Sequence, residues 1–436
     1  MKKRIISSLV MLSMLLIFNF KVWANTYTFD RMIENIASFG LGGSGAIAQG
    51  MGNAYIALSE DCTGFTWNPA SPTILEKLEM AFSGMFFNRT EDIHFTIDDN
   101  ANGNQTVDHM HLKYFGIAYP FKYSGKHICL SIFYHKIMDF NRKWNFNFAL
   151  KDNDRIIDYQ SEGAMSSIGI GGCIRATKNL SFGVSFNIMN DGITKNSWEQ
   201  KTYQFDKVWF GDNPKLISTS YYYNIEKYSL KGSNFNIGLL WRNIFKSNFT
   251  MGVVCKTPFH ASFNKSKIDT SLNKSTNAYT LKMPLSYGIG FSYRYTDSFK
   301  CAFDMFRTEW NNFVIVDSFG RKISPITGKL YNKSNTCPTH QMRLGFEYSG
   351  FHNNKYIFPI CFGMFYDPSP SEGCPDNIWG LTIGAGIVKM DKFSIDFAYQ
   401  YRFGNNTSQY MLQNWGFSQD VNEHSIQFSI IMYLSK

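Results

Sequence analysis

Between Tyr279 and Tyr293 every odd position is apolar: Tyr279, Leu281, Met283, Leu285, Tyr287, Ile289, Phe291 and Tyr293. Thr280, Lys282, Pro284, Ser286, Gly288, Gly290 and Ser292 stand between them, mostly small or polar. A period of two places alternate residues on opposite faces of a β-strand. The run is more than twice the length of a soluble strand, about five or six residues. A strand tilted across a bilayer needs roughly 9–11 residues, so this one can span. Its odd face is read as lipid-facing and its even face as inward.

The same pattern predicts strands over 78–88, 109–121, 127–150, 158–175, 180–190, 230–243 and 248–258. It continues over 279–294, 299–310, 340–349, 356–366, 378–388, 393–403 and 424–434, fourteen strands in all. Their connections alternate in length. Short turns fall near 122–126, 176–179, 244–247, 296–298, 350–355 and 389–392. Longer loops start at Arg89, Asp191, Phe259, Asn311, Asp367 and Gly404, with a tighter turn at 151–155. Short turns on one side and long loops on the other build up-and-down barrels. The fold predicted is all-β, a transmembrane antiparallel β-barrel of about 14 strands. Two phase slips predict a bulge or kink. One lies between Tyr114 and Phe115, and the other at Gly171-Gly172.

The N-terminus has the form of an export signal. Lys2, Lys3 and Arg4 precede an apolar stretch over 5–20, and Val22-Trp23-Ala24 allows cleavage before Asn25. No later apolar stretch is long enough for a transmembrane helix. Aromatics make up 17% of the chain, as expected where aromatic girdles border the apolar band of a barrel. The mean hydropathy is −0.23, because alternation hides the membrane face from an average. The formal net charge of +9 is scattered rather than clustered, so it is assigned to lumen, loops and surface, with no nucleic-acid partner. Cys129, Cys173, Cys255, Cys301 and Cys361 fall in predicted strands as small apolar side chains, whereas Cys337 and Cys374 lie in outer loops within reach of bridging.

Residues 25–76 precede the first strand. Met32, Ile33, Ile36 and Phe39 have helical spacing, and a Gly- and Ala-rich stretch follows. Gly40 to Gly45 matches a GxGxxG string but follows no strand, so no dinucleotide site is assigned. A fourteen-stranded barrel is wider than wall side chains alone can fill, and a segment rich in small residues is suited to close it. Asn68-Pro69 fixes a turn there, because Pro locks φ and biases its predecessor away from helix. The chain is divided into a signal peptide (1–24), a plug or hatch (25–76) and a barrel (77–436).

Gly45-Ala46-Ile47-Ala48-Gln49-Gly50-Met51-Gly52-Asn53, running on through Glu60-Asp61 to Trp67-Asn68-Pro69-Ala70, resembles the plug of the FadL-type outer-membrane transporters. Pro284 to Gly290 and Tyr366-Asp367-Pro368-Ser369-Pro370 extend the resemblance. Asn53, Cys62 and the terminal Tyr433-Leu434-Ser435-Lys436 depart from that pattern. The resemblance implies a monomer placed in the bacterial outer membrane by the barrel-assembly machinery, among outer-membrane lipid. It also implies transport of small hydrophobic molecules, most of all long-chain fatty acids, with Gly50, Gly52, Asn68, Pro69 and Ala70 in the plug and its gating. The alternative is a secretion-system shuttle or surface adhesin on the same barrel.

Alternation turns Lys282, Arg294, Asp304, Arg343, Glu347, Asp396 and Arg402 inward, with Phe306 beside them. Charges inside a membrane are normally paired or functional, and a cation left unpaired can grip an anionic head. Lys282, Arg294, Phe306 and Arg343 are the candidate ligand-binding residues. No nucleophile elbow or catalytic grouping occurs, so no enzyme activity and no cofactor are expected. His109 and His111 share a strand face without a third ligand nearby in the sequence, so no metal site is assigned.

Overall fold

The computed structural model describes residues 43–210, 215–244, 247–389 and 391–434. The signal peptide, the helical spacing at 30–39 and most of the GxGxxG string lie outside the described residues. Among those described, no helix is long and apolar enough to cross a membrane.

The strands are β1 (Leu78–His94), β2 (Gly103–Tyr123), β3 (Lys126–Asp139), β4 (Arg142–Leu150), β5 (Asn153–Arg175), β6 (Leu180–Asn190) and β7 (Ser197–Phe210). Then come β8 (Lys215–Trp241), β9 (Phe249–Lys256), β10 (Phe259–Asp269), β11 (Lys274–Met283), β12 (Ser286–Arg294) and β13 (Phe299–Thr308). The chain finishes with β14 (Val314–Val316), β15 (Lys322–Ile323), β16 (Thr339–His352), β17 (Tyr356–Tyr366), β18 (Trp379–Lys389), β19 (Phe393–Thr407) and β20 (Ser418–Leu434). Antiparallel pairing runs β1-β2-β3-β5-β6-β8-β9-β12-β13-β16-β17-β18-β19-β20. The ring closes where Leu78 pairs with Leu434. This is a closed barrel of 14 strands, and each predicted strand contributes one of them; the strand predicted over 127–150 is broken at Phe140-Asn141, and its second half, β4, pairs with β5 outside that ring order.

Closure removes the unpaired edges that an open sheet would leave. The outer surface carries a belt of large apolar side chains, among them Phe82, Phe115, Ile132, Ile170, Phe182, Ile237, Phe362, Ile383 and Phe397, all exposed. Their inward neighbours are buried and mostly small, polar or charged, with Tyr114 and Phe133 as aromatic exceptions. That is the outward-apolar alternation of a membrane barrel.

The structure corrects three local readings. The segments after Asp191 and Phe259 are not loops throughout: β7, the upper part of β8, β10 and β11 continue the wall as two long hairpins. In β7 the inward positions Gln200, Thr202, Gln204 and Asp206 are polar, and the outward ones include Glu199, Lys201 and Lys207, so the outward-apolar alternation of a membrane strand is missing there. The run from Tyr279 to Tyr293 is two strands with a one-residue slip at Pro284-Leu285. Below it Tyr287 and Tyr293 face out, whereas above it Leu281 and Met283 are buried inside. Lys282 therefore lies on the outer face, not in the lumen; a one-residue slip exchanges the faces. Gly171-Gly172 is regularly paired on both sides. The slip in β2 is a bulge at Lys113, where Ser83 pairs with Tyr114 and Gly84 with Leu112. All eight cysteines are free, Cys337 and Cys374 included.

Candidate functional site

The chain from Gly43 to Glu76 lies inside the barrel as a short helix (Ala46–Gly50), two 3-10 turns (Cys62–Thr66 and Ser71–Ile74) and coil. Few of its residues form regular structure, so its backbone groups need partners elsewhere, and the wall supplies several. Asp304, fully buried on β13, accepts from the Tyr55 N–H at 2.7 Å and the Ile56 N–H at 2.9 Å through one oxygen. Thr382 accepts from Gly52 N at 2.9 Å and donates to Gly50 O at 2.8 Å. Asn68 donates to Ile56 O and to Leu239 O of the wall, each at 3.0 Å, and its Oδ1 accepts from Ala70 N at 3.1 Å.

The wall is moulded to this segment by paired glycines. Gly183 and Gly238 are register partners, and a Cβ on either would stand 2.0 Å from Pro69 O or Asn68 Oδ1 respectively. Gly345 and Gly363 are partners too, and a Cβ there would meet Met51 O at 2.3 Å or Gly52 N at 2.1 Å. Gly171 likewise leaves room for Phe65, whose ring would lie 2.3 Å from a Cβ; that is why a glycine stands in a regular strand. Gly50 packs on Gly384, and Gly52 has φ +63, which favours glycine. Gly50, Gly52, Asn68, Pro69 and Ala70 thus all lie against the wall.

At the end of the barrel where the short turns lie, Glu60 of the hatch bonds Arg294 at 2.9 Å and Lys300 at 2.9 Å. Lys300 also reaches Glu347 at 3.1 Å. Arg294 does face inward, but it holds the hatch and borders a cavity beneath it, together with Arg242 and Lys300.

Two further cavities lie in the lumen. One is lined by Ile137, Met138, Met165, Met189, Phe259, Met283 and Trp310, with Asn187, Asn234 and Lys256 among its polar groups. The other is lined by Lys113, Lys136, Asp139, Arg343, Asp367, Arg402 and Glu423 with hatch residues Gln49 and Asn53. Ile137 and Met138 border both. They stand where β3 bulges: Lys136 pairs with Ser166 and Met138 with Met165, leaving Ile137 extra.

Most lumen charges are neutralised by neighbours. Arg402 bonds Glu423 at 2.9 Å, Arg89 bonds Glu423 at 2.6 Å, and Arg142 bonds Glu91 at 2.7 Å. Arg343 differs. It is buried and donates to Gln341 at 2.9 Å and Asn53 O at 3.5 Å; among the described residues no carboxylate makes a direct ion pair with it, and Asp367 and Asp304 act on it only from farther off. Its guanidinium lies 5.9 Å from the Phe306 ring, and the Lys256 ammonium lies 5.5 Å from the same ring. Phe306 is thus flanked by two cations, one bordering each cavity. Of the four candidates named from sequence, Phe306 and Arg343 come together here, Arg294 lies at the far side of the hatch, and Lys282 is outside. Lys256 was missed, although it shares the parity of the inward Val254 on β9.

His109 and His111 on β2 are joined by Asp139 of β3; one ligand atom from each lies within 4.8 Å of the others. The third group comes from 28 or more positions away in sequence, so spacing along the chain could not show it.

No family model and no curated protein sequence matches the chain. Solved structures do. A Pseudomonas aeruginosa FadL homologue matches with a TM-score of 0.60 at 12% identity, covering 91% of this chain and all of that one. The Pseudomonas putida toluene transporter TodX gives 0.55 at 12% identity over 91% of this chain and 100% of its own. The CymD monoaromatic hydrocarbon channel gives 0.53 at 15% identity over 92% and 100%. At about nine-tenths coverage the match takes in nearly the whole described chain, and the chain shares the fold of these barrels.

Proposed function

We propose that the protein carries small hydrophobic molecules across the bacterial outer membrane, and that its ligands are long-chain fatty acids or similar amphiphiles with one anionic head. The observation that carries this reading is the placing of Arg343 and Lys256 on either side of Phe306, beside a cavity lined by methionine and aromatic side chains. Methionine and aromatic surface accepts a flexible apolar chain. A buried guanidinium that bonds no carboxylate directly offers a fork of donors to a carboxylate head. A neutral aromatic hydrocarbon would gain only a cation–π contact from the two cations, less than a charge-assisted bond to a carboxylate.

In this reading the hatch blocks the direct route. The glycine-lined contacts hold it close, while the Glu60 bonds at the far end are half-exposed and weak individually, about 0–1 kcal/mol each. Ligand reaches the apolar cavity from the loop side, its head engages the cations, and displacement of the hatch or passage through the wall releases it.

Equilibrium binding of a fluorescent long-chain fatty acid to the detergent-solubilised protein tests the reading. Arg343→Ala and Lys256→Ala should each weaken it about tenfold or more, and toluene should compete poorly. Equal affinity of wild type and both variants would remove the head-group assignment.

A further inference from the structure

Backbone pairing between β2 and β3 ends at Tyr114 and His135. Beyond that point, among the described residues, no backbone ladder joins the rest of β2 to β3 or β4. Both strands bulge at this level, β2 at Lys113 and β3 at Ile137. Side chains cross the seam instead. Lys113 Nζ donates to Lys136 O at 3.0 Å, and His109 Nε2 lies 2.8 Å from Asp139 Oδ2. Higher up, Gln105 donates to Asn145 O and accepts from Asn145 N, both at 2.9 Å.

At the centre of this seam His109 and His111, two residues apart on one strand, stack with ring centroids 5.2 Å apart. Asp139 faces them from the other side of the seam. The Nδ1 atoms of both histidines are buried and have no hydrogen-bond partner. His111 and Asp139 open onto the charged lumen cavity beside Arg343 and Arg402, where water or a ligand atom can complete a coordination shell. Two imidazoles, one carboxylate and an open position are the donor set of many zinc sites.

We propose that His109, His111 and Asp139 bind a divalent transition-metal ion, of which Zn2+ is the natural probe, across the seam between β2 and β3. The neighbouring charges set its terms. The Lys136 ammonium bonds Asp139 and occupies the place of a cation, so it must release the carboxylate when the ion enters; its stem borders the same cavity. Lys113, held at the Lys136 carbonyl, adds a second positive charge nearby. Both oppose the ion, so removing the Lys136 charge tightens binding rather than weakening it. An ion so held ties together two strands that lack a backbone ladder at that level.

The test is calorimetric titration of the metal-stripped, detergent-solubilised full chain with ZnCl2. One ion per chain is expected. His111→Ala, which removes no hydrogen bond seen in the structure, should weaken binding at least tenfold, and Lys136→Met should tighten it severalfold. Heat-modifiable migration on a gel confirms that each variant is a folded barrel. Absence of Zn2+ binding, or binding unchanged in His111→Ala and in Asp139→Asn, would overturn the proposal.

Discussion

Asp304 is the wall residue whose loss should loosen the hatch most. Its Oδ2 accepts two hatch N–H groups, from Tyr55 at 2.7 Å and Ile56 at 2.9 Å, at a site with no exposure to solvent. Asp304→Ala leaves both donors unsatisfied. Each buried orphan costs about 1–3 kcal/mol, so the hatch should lose roughly 2–6 kcal/mol of its docking. At about 1.4 kcal/mol per decade, the open-to-closed ratio rises roughly 30-fold to 10^4-fold. Asp304→Asn keeps an acceptor oxygen at the same place and loses only charge assistance, about half of the interaction, so its effect should be much smaller. Single-channel recording in planar bilayers reads the difference as longer or more frequent high-conductance openings in Asp304→Ala, with Asp304→Asn between it and wild type. Equal, wild-type conductance in both variants would mean that these bonds do not hold the hatch closed.

Other outcomes follow from the same geometry. Gly238→Leu, whose Cβ would stand 2.0 Å from Asn68 Oδ1, should displace the Asn68-Pro69 turn and raise conductance while the barrel still inserts; unchanged conductance would show that the turn shifts without opening a path. On the outer face, Ile289→Arg should impair membrane insertion by roughly 2–4 kcal/mol near the midplane, whereas Lys282→Leu, above the slip at Pro284-Leu285, should leave insertion and ligand affinity unchanged. A fall in ligand affinity for Lys282→Leu would return that residue to the lumen. Glu60→Gln should change overall stability by less than about 1 kcal/mol, yet expose the hatch end near Arg294 to faster amide exchange.

The wall was legible because membrane strands repeat one simple rule, apolar outward and small or polar inward. All fourteen ring strands follow from it. It stopped working where lipid stops. In β7 the inward face is polar and the outward face mixed, so period-two hydrophobicity vanishes while pairing continues. It also misled at Pro284-Leu285, because Leu281 and Met283 are apolar for a different reason: they line the lumen. A one-residue slip between two apolar stretches of opposite facing leaves no trace in the sequence.

The site was half legible. Parity placed Asp304, Arg343, Glu347, Asp396 and Arg402 inside, and all five are buried. It could not say that Asp304 bonds the hatch backbone while Arg343 bonds no carboxylate directly and reaches Asn53 O of the hatch instead, because those facts depend on partners hundreds of residues apart. The small residues at Gly288 and Gly290 signalled only a narrow interior. Their meaning is specific: a Cβ at Gly290 would stand 2.7 Å from Ile56 Cβ, so the even face of that strand is the footprint of the hatch.

Uptake of a labelled long-chain fatty acid into cells tests the central claim most directly. Cells lacking the protein should take it up slowly, cells expressing wild type should recover the rate, and cells expressing Arg343→Ala should recover it only in part despite normal surface levels. If uptake of fatty acid and of every other apolar ligand tried is the same with and without the protein, while surface proteins fail to reach the cell exterior in its absence, hydrophobic transport is contradicted and the barrel serves secretion.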